Sequence, residues 1–213
     1  MNIDSYDTAL LENLVDHRRE ELDIEYKSWM LLTEPIHRAK IAKHVCAIAN
    51  SGGGWIVFGV NDDGSHAEPH PGSLDAYRQD EINNICDKYL CPQLQCSVTN
   101  VRSKLTGKLY PVVRVPSHKT VPICAKQNGP VDGKKISGIV KGIHYIRCAG
   151  PKSAPIDNPD LWQSLIHRCV INERQSLLNS ISRLFEEPQR VLTPSVTDQI
   201  INDIESRWNE SQV

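Results

Sequence analysis

The chain has 213 residues, of which 39% are hydrophobic, and a formal net charge of −2. This composition predicts a globular protein with one sizeable core, and no apolar run approaches the roughly 20 residues of a membrane-spanning helix. A charge near zero neither indicates nor excludes a nucleic-acid partner, because such binding depends on a local basic surface.

The N-terminal residues and the cysteines favour a cytoplasmic location. The first 20 residues lack the basic and then apolar pattern of a secretion signal. Cysteine occurs seven times, an odd number scattered through predicted core elements, so reduced thiols are expected.

The first elements are a helix over residues 6–19 and a short strand after it. In that strand the apolar residues Leu22, Ile24 and Tyr26 alternate with the polar residues Asp23, Glu25 and Lys27. This period of two is typical of a half-buried strand, so the polar three share one face. We assign Asp23 to the solvated part of that face.

The centre of the chain predicts a helix, a glycine-rich bend and a buried strand in succession. Apolar residues with helical spacing end at Asn50, and Gly52–Gly54 permit the positive-φ geometry of a helix end. The run 55–60 is β-branched and aromatic, as in a strand buried on both faces. The turn 61–64 then places Asp62 and Asp63 at the strand's C-terminal end.

The rest of the α/β part contains a helix around residues 82–89 and four further strands. The strands are predicted at 94–101, 109–115, 121–125 and 142–147, with a hairpin turn at 104–108 and a mobile loop at 126–138. Asn158-Pro159-Asp160 indicates a helix start, and that helix extends to Phe185 before Pro188. A last helix follows Thr193-Pro194. We therefore predict a mixed α/β lobe over residues 1–157 and a helical extension over 158–213.

Several motifs together resemble the Schlafen AlbA_2 family over residues 18–168. The first motif, Glu20–Lys27, has two glutamates five residues apart before a lysine. The second, Ala47–Asp63, contains Ala-x-Ala-Asn, then glycines, and then a strand that ends Gly-Val-x-Asp. The other two are Val115-Pro116-Ser117 and Tyr145-Ile146-Arg147. The resemblance implies an α/β (α+β) fold, a mixed sheet flanked by helices. This sequence departs from the family pattern at Asn61, where aspartate is frequent, and in having one additional glycine within Gly52-Gly53-Gly54.

The resemblance also implies an activity. Schlafen nucleases join two such lobes into a clamp around structured RNA, chiefly tRNA, and cleave it with three carboxylates. Carried over to this sequence, these are Glu20, Glu25 and Asp62. The implied function is a metal-dependent endoribonuclease, in a toxin or antiphage defence role. Because many bacterial relatives are regarded as DNA-binding or ATP-binding modules, a non-catalytic regulatory module that binds DNA or RNA is the alternative. A protein-binding scaffold is a weaker one.

Carboxylate oxygens suit Mg²⁺ or Mn²⁺, and a bound ion stabilises charge on a phosphate and activates a nucleophile. We therefore predict that Glu20, Glu25 and Asp62 hold such an ion, with Asp63 as an alternative third ligand. Lys27 would bind the phosphate or tune the carboxylates. The simpler interpretation is that all three acids are solvated surface residues.

Further phosphate contacts are predicted for basic clusters, each of which is also compatible with an ordinary solvated face. They are Lys40, Lys43 and His44 on the outer side of the central helix, then Arg114, His118 and Lys119, then Lys134, Lys135 and Lys141. RNA is favoured over DNA as the partner.

Two other sites are considered and set aside. A phosphate loop of the ATP-binding type is absent, since the glycines follow a helix and GxxxxGK[ST] does not occur. Cys86, Cys91 and Cys96 are five residues apart, which differs from zinc-site spacing and favours buried structural thiols.

The sequence has one lobe where the clamp needs two, so we expect a homodimer or a partner protein. The C-terminal residues Ile200, Ile204 and Trp208 would form the interface or cover the lobe.

Overall fold

The computed structural model describes residues 8–19, 21–150 and 152–186. The chain divides into two compact units, Met1–Asn172 and Glu173–Val213. In the second unit only the helical residues 173–186 are described, and they expose Leu177, Leu178 and Ile181. The predicted domain boundary at residue 157 stays a prediction.

Four α-helices and ten short strands make up the described chain. The helices are α1 (Thr8–Asp16), α2 (Pro35–Asn50), α3 (Gln79–Tyr89) and α4 (Pro159–Glu186). The strands are β1 (Ile24–Lys27), β2 (Gly54–Phe58), β3 (Leu90–Cys91), β4 (Ser97–Arg102), β5 (Leu109–Val115), β6 (Cys124–Ala125), β7 (Val131–Asp132), β8 (Lys135–Ile136), β9 (Tyr145–Cys148) and β10 (Lys152–Pro155). A 3₁₀ turn, Asp75–Tyr77, precedes α3.

The main sheet has four strands in the order β1-β2-β5-β4. β1 is parallel to β2, whereas β5 is antiparallel to both β2 and β4. The sheet is therefore mixed, and β1 forms one of its edges. Together with the flanking helices and the C-terminal helix, it confirms the predicted α/β (α+β) class.

At the central strand β2 the sheet is buried on both faces. Ile56 and Phe58 of β2 pack in a cluster with α2 and α3, while Val57 packs with Ile24, Tyr26 and the apolar side of α1. Successive strand residues point to opposite faces, so a strand between two helical layers must be apolar throughout. This explains the uninterrupted apolar run at 55–60.

The passage from α2 to β2 is fixed by a glycine and an asparagine. Gly53 has φ +87°, and a Cβ there would lie 2.8 Å from the Ser117 nitrogen, so only glycine fits. The fully buried Asn50 amide donates to Ile123 O and Tyr145 O at 2.8 and 2.9 Å and accepts from Ile123 N at 2.8 Å. Asn50 thus joins the end of α2 to the β6 and β9 segments.

Some predicted elements need correction. The loop at 126–138 contains the β7–β8 ladder, and Gly138 in it lies against Ala39 of α2. The strand expected at 121–125 has only the two residues of β6. Pro188 and the last predicted helix lie outside the described residues. Within the described chain, no helix is long and apolar enough to cross a membrane.

Candidate functional site

A cavity of about 420 Å³ lies beside β1, at the edge of the sheet. Four cationic side chains and two carboxylates contribute to its lining, together with three other residues: Arg18, Arg19, Lys27, Arg147, Glu25, Asp62, Ile24, Tyr26 and Gly150. The parallel pairing of β1 and β2 explains this arrangement. Both strands run towards the same end of the sheet, and the turn after β2 carries Asp62 there.

Glu25 is buried, with 7% of its surface exposed. Its register partner is Ile56, so its side chain lies on the face of the sheet that α2 covers. Oε1 contacts the Lys27 ammonium, and Oε2 contacts the Arg147 guanidinium. The sequence correctly places Glu25 and Lys27 on one polar side, but that side is covered rather than solvated at Glu25.

Arg147 is the residue that fixes Glu25. Its guanidinium also donates to Leu22 O and Ile24 O, both at 2.9 Å, and to Ser153 Oγ at 3.0 Å. Ile24 O lies on the outer edge of β1 and Leu22 O just before that strand, on the side where no further strand of the described sheet is paired. The Arg147 side chain therefore binds both the Glu25 carboxylate and the backbone at β1, the strand that carries Glu25.

His44 lies on the inner side of α2, contrary to the predicted outward position. Its Nδ1 is 3.0 Å from Ser153 Oγ and 3.4 Å from Glu25 Oε1. Burial, and then the cations Lys27, Lys43 and Arg147, hold the pKa of His44 well below its usual range. The imidazole is accordingly neutral near pH 7.

Lys43 and Lys40 differ in their surroundings. Lys43 is half-buried, and burial followed by the nearby Lys27 lowers its pKa. Lys40 is exposed on the same helix. Of these two, Lys40 has the open position that a contact with a large polyanion requires.

Asp62 is exposed in the turn that follows β2. It also lines a neighbouring depression of about 530 Å³ with Lys27, Asn61 and Asp63. Asp63 accepts hydrogen bonds from the Ser65 nitrogen at 2.9 Å and hydroxyl at 2.6 Å, which lower the pKa of its carboxyl. Asp63 thus stabilises the turn, whereas Asp62 faces the cavity that Glu25 also lines.

Glu20 lies outside the described residues. In the described part of the chain, no group of three His, Cys, Asp or Glu side chains is placed to hold a metal ion. Glu25 and Asp62 nevertheless offer oxygen donors of the kind that hard divalent cations prefer, at one cavity. The Lys27 ammonium, on a flexible side chain that is 26% exposed, is the contact that such an ion would displace.

The second basic cluster is dispersed. Arg114 is half-buried, with its guanidinium 5.6 Å from the centre of the Trp55 ring. His118 is only 2% exposed, which is inconsistent with a direct phosphate contact, while Lys119 beside it is exposed. Lys134, Lys135 and Lys141 are exposed as well.

The cysteines also separate by environment. Cys86 and Cys96 are buried with their sulfurs 4.0 Å apart, as expected for structural thiols. Cys91 is exposed, so the prediction that it is buried is wrong. The two-residue strand β3 buries Leu90 and turns Cys91 to the opposite, exposed side, because successive strand residues alternate between faces.

Sequence reasoning gave no role to Arg147 or Ser153, although both line or support the site. Arg147 belongs to the Tyr145-Ile146-Arg147 motif, and that motif was the available signal. Ser153 lies 109 residues after His44, and no local pattern connects the two.

Comparison with known proteins gives one family and several similar folds. The sequence matches the family described as Schlafen, AlbA_2 over residues 20–154. No curated protein matches it.

Two of the similar solved structures come from bacteria. One is the N-terminal domain of a protein from Nitrosomonas europaea related to the ATP-dependent DNA helicase RecG, with 22% identity, a TM-score of 0.41, and coverage of 62% of this chain and 89% of that one. The other is a Corynebacterium diphtheriae protein, with 14% identity, a TM-score of 0.45 and coverage of 73% of this chain. The match spans 27% of that second protein.

Proposed function

Since the chain belongs to the Schlafen AlbA_2 family, we propose that it binds nucleic acid at the cavity beside β1. The observation that carries this proposal is the charge of the lining, where Arg18, Arg19 and Lys27 accompany the Glu25–Arg147 pair. Glu25 already contacts two cations, so its charge is compensated within the protein. The remaining positive charge suits a phosphate backbone.

We further propose that the protein is a metal-dependent endoribonuclease of Schlafen type, acting on tRNA or another structured RNA as a toxin or antiphage effector. Glu20, Glu25 and Asp62 would hold Mg²⁺ or Mn²⁺. A bound divalent ion supplies Lewis-acid stabilisation of phosphate charge and lowers the pKa of a water molecule. The support is that Glu25 and Asp62 line the same cavity.

The protein's own residues would contribute orientation and charge. Arg147 holds Oε2 of Glu25 and thereby sets the direction of Oε1. Lys27, once displaced from Oε1, stays at the cavity and is available to the scissile phosphate. Arg18 and Arg19 would hold the backbone on either side of the cleaved bond.

The alternative is a non-catalytic module that binds DNA or RNA. One observation favours it: both oxygens of Glu25 contact cations, an arrangement that needs no metal ion. In that case Glu25 serves to orient Lys27 towards phosphate, while Arg147 holds Glu25 in place.

The test is incubation of the purified protein with total tRNA in Mg²⁺, in Mn²⁺ and in EDTA. Glu25→Gln and Asp62→Asn would be compared with Asp63→Asn, a matched control because Asp63 bonds Ser65 instead of lining the cavity. We expect metal-dependent cleavage that both site variants lose and the control keeps, with a loss of roughly 100-fold or more for an essential carboxylate.

If no cleavage is observed, a nucleic-acid binding assay distinguishes the non-catalytic module from a protein without this function. Retention of tRNA or duplex DNA on a native gel without cleavage would contradict the nuclease and support the module. Absence of both cleavage and binding would overturn the proposal as a whole.

We also propose that the active form is a homodimer, or a complex with a partner protein, because a single lobe offers one side of a clamp. Light scattering of the purified chain, alone and with tRNA, measures this. A monomer that cleaves or binds tRNA in a 1:1 complex would exclude the requirement.

A further inference from the structure

Two cysteines face each other on the small β3–β6 ladder. Cys91 and Cys124 are register partners in this antiparallel pair. Lys126 N donates to Tyr89 O at 2.7 Å, whereas the backbone of Ala125 bonds to Ile143 and Gly142 on its other side. Cys91 and Cys124 therefore occupy a hydrogen-bonded position of the ladder, where Cα atoms lie about 5.5 Å apart.

That Cα separation is within the range that disulfides span, roughly 4.4–6.8 Å. The Cβ atoms of a hydrogen-bonded pair lie about 5.5 Å apart, against roughly 3.5–4.5 Å in a disulfide, so the bond requires β3 and β6 to approach each other by about 1 Å. Cys91 is exposed and Cys124 is half-buried, so an oxidant reaches the first directly and the second lies next to it. We propose that Cys91 and Cys124 are an oxidation site, forming a reversible intramolecular disulfide with hydrogen peroxide as the oxidant.

The reaction has two steps. The Cys91 thiolate attacks one peroxide oxygen, the O–O bond breaks, and hydroxide leaves a sulfenic acid on Cys91. The Cys124 sulfur then attacks the Cys91 sulfur, the S–O bond breaks, and water leaves. In total two thiols and one H₂O₂ give one disulfide and two H₂O, and a dithiol reductant reverses the oxidation.

The order of attack follows from the surroundings. Burial, and then the neighbouring Cys91, raise the pKa of the Cys124 thiol, so Cys124 is the slower of the two to react with peroxide. The Cys86 and Cys96 sulfurs are 4.0 Å apart, but both residues are buried. The short distance between the Cys86 and Cys96 sulfurs would favour a bond between them, but only the Cys91–Cys124 pair has a sulfur that peroxide in solution can reach.

The crosslink would connect the end of α3 to a segment that α2 already holds. Cys91 follows the last residues of α3, and Cys124 follows Ile123, which is bonded twice by Asn50. A covalent bond there removes conformations from the unfolded chain more than it changes the native one. The oxidised protein should therefore be more stable, with any backbone change confined to the β3–β6 ladder.

The experiment uses the full chain, reduced, freed of reductant and treated with stoichiometric hydrogen peroxide. Free thiols are counted in denaturant, and peptides are mapped by mass spectrometry without reduction. We expect two of the seven thiols to be lost, a peptide linking Cys91 to Cys124, full reversal by dithiothreitol, and a Tm higher by roughly 5 °C or more.

Variants make the assignment specific. Cys124→Ser should leave a sulfenic acid on Cys91, detectable as a dimedone adduct, and Cys91→Ser should prevent the crosslink. Cys148→Ser is the matched control, because Cys148 is also half-buried in a two-stranded ladder but faces Lys152. A linked Cys86–Cys96 peptide, a disulfide between two chains, or Cys91 oxidation without a crosslink in the wild type would each overturn the proposal.

Discussion

At the scale of single residues, Arg147 contributes most to the candidate site. Its side chain is fully buried, and its bonds to Glu25, Leu22 and Ile24 leave little of its donor capacity unused. A guanidinium suits this position because its fixed fork reaches several acceptors at once, which a lysine ammonium cannot. The orientation of Glu25 thus depends on a residue 122 positions away in the chain.

Replacing Arg147 with Met should lower the free energy of unfolding by about 3–5 kcal/mol, because a buried Glu25 would lose its closest compensating charge. Urea unfolding followed by circular dichroism measures the change. The control is Arg19→Met, which removes an exposed arginine 3.8 Å from Glu21 and should cost less than about 1 kcal/mol. Equal losses in the two variants would contradict the assigned role of Arg147.

His44 predicts how stability depends on pH. Its pKa in the folded protein is well below the unfolded value of about 6.5, chiefly because of burial. Between the two values the unfolded chain binds the proton and the folded chain does not, so stability falls as the pH falls below about 6.5. Part of this loss should disappear in His44→Gln.

Urea midpoints at pH 7.5, 6.5 and 5.5 test this expectation. Relative to the wild type, His44→Gln should gain up to about 1.4 kcal/mol per pH unit below 6.5. His17→Gln, which replaces an exposed histidine, should follow the wild type. Parallel wild-type and His44→Gln profiles would show that His44 does not cause the pH dependence.

Strand alternation predicts the common face of Glu25 and Lys27, because the period of two is a local property. It does not reveal what covers that face. Here the cover comes from α2, β9 and β10, through His44, Arg147 and Ser153. Such long-range contacts leave no periodic pattern, so neither the burial of Glu25 nor the inward position of His44 was predictable from spacing.

At the scale of elements, the junction after α2 depends on Asn50. Its amide satisfies two backbone carbonyls and one backbone nitrogen, all buried within the same cluster. These bonds connect the end of α2 with segments more than 70 residues later, since Ile123 and Tyr145 lie 73 and 95 positions away. The ends of α2, β6 and β9 are accordingly held as one assembly.

Asn50→Ala should destabilise the protein by about 3 kcal/mol or more, because it leaves buried donors and acceptors unpaired at roughly 1–3 kcal/mol each. Asn100→Ala, on an exposed position of β4, should change stability by about 0.5 kcal/mol or less. Thermal unfolding of both variants compares them. A small effect at Asn50 would mean that water replaces its amide.

The long elements were predictable because their signals are local. The apolar spacing of α2, the glycines after it and the continuous run of β2 give the right elements in the right order. The two-residue ladders are different, since β6 and β7 have too few residues to show a period. β6 pairs with β3, which lies elsewhere in the sequence, whereas β7 pairs with β8 in a hairpin too short to show alternation.

At the scale of the whole molecule, charge distribution matters more than net charge. The total is −2, yet four cations and two carboxylates line the β1 cavity, and one carboxylate is compensated by two of those cations. Binding of a polyanion must therefore be local, and it must release counterions from the phosphates it contacts.

The affinity for a tRNA or a single-stranded oligonucleotide should fall with salt. With about three phosphate contacts, the slope of log K against log salt concentration would be roughly −2. Arg19→Gln combined with Lys40→Gln should reduce that slope by about one or more, while Lys88→Gln, at an exposed position of α3 outside the predicted basic clusters, should not alter it. Fluorescence anisotropy at several salt concentrations measures the slopes, and equal slopes for all variants would place the nucleic acid on another surface.

The bonds from Arg147 to Leu22 O and Ile24 O have a consequence for solubility. An unpaired strand edge is a template on which a strand of another molecule can add, the first event in many forms of aggregation. The guanidinium occupies two of the acceptors that an incoming strand would use. Arg147 therefore blocks the addition of another strand at β1 as well as holding Glu25, and variants that lose it should aggregate more readily through this edge.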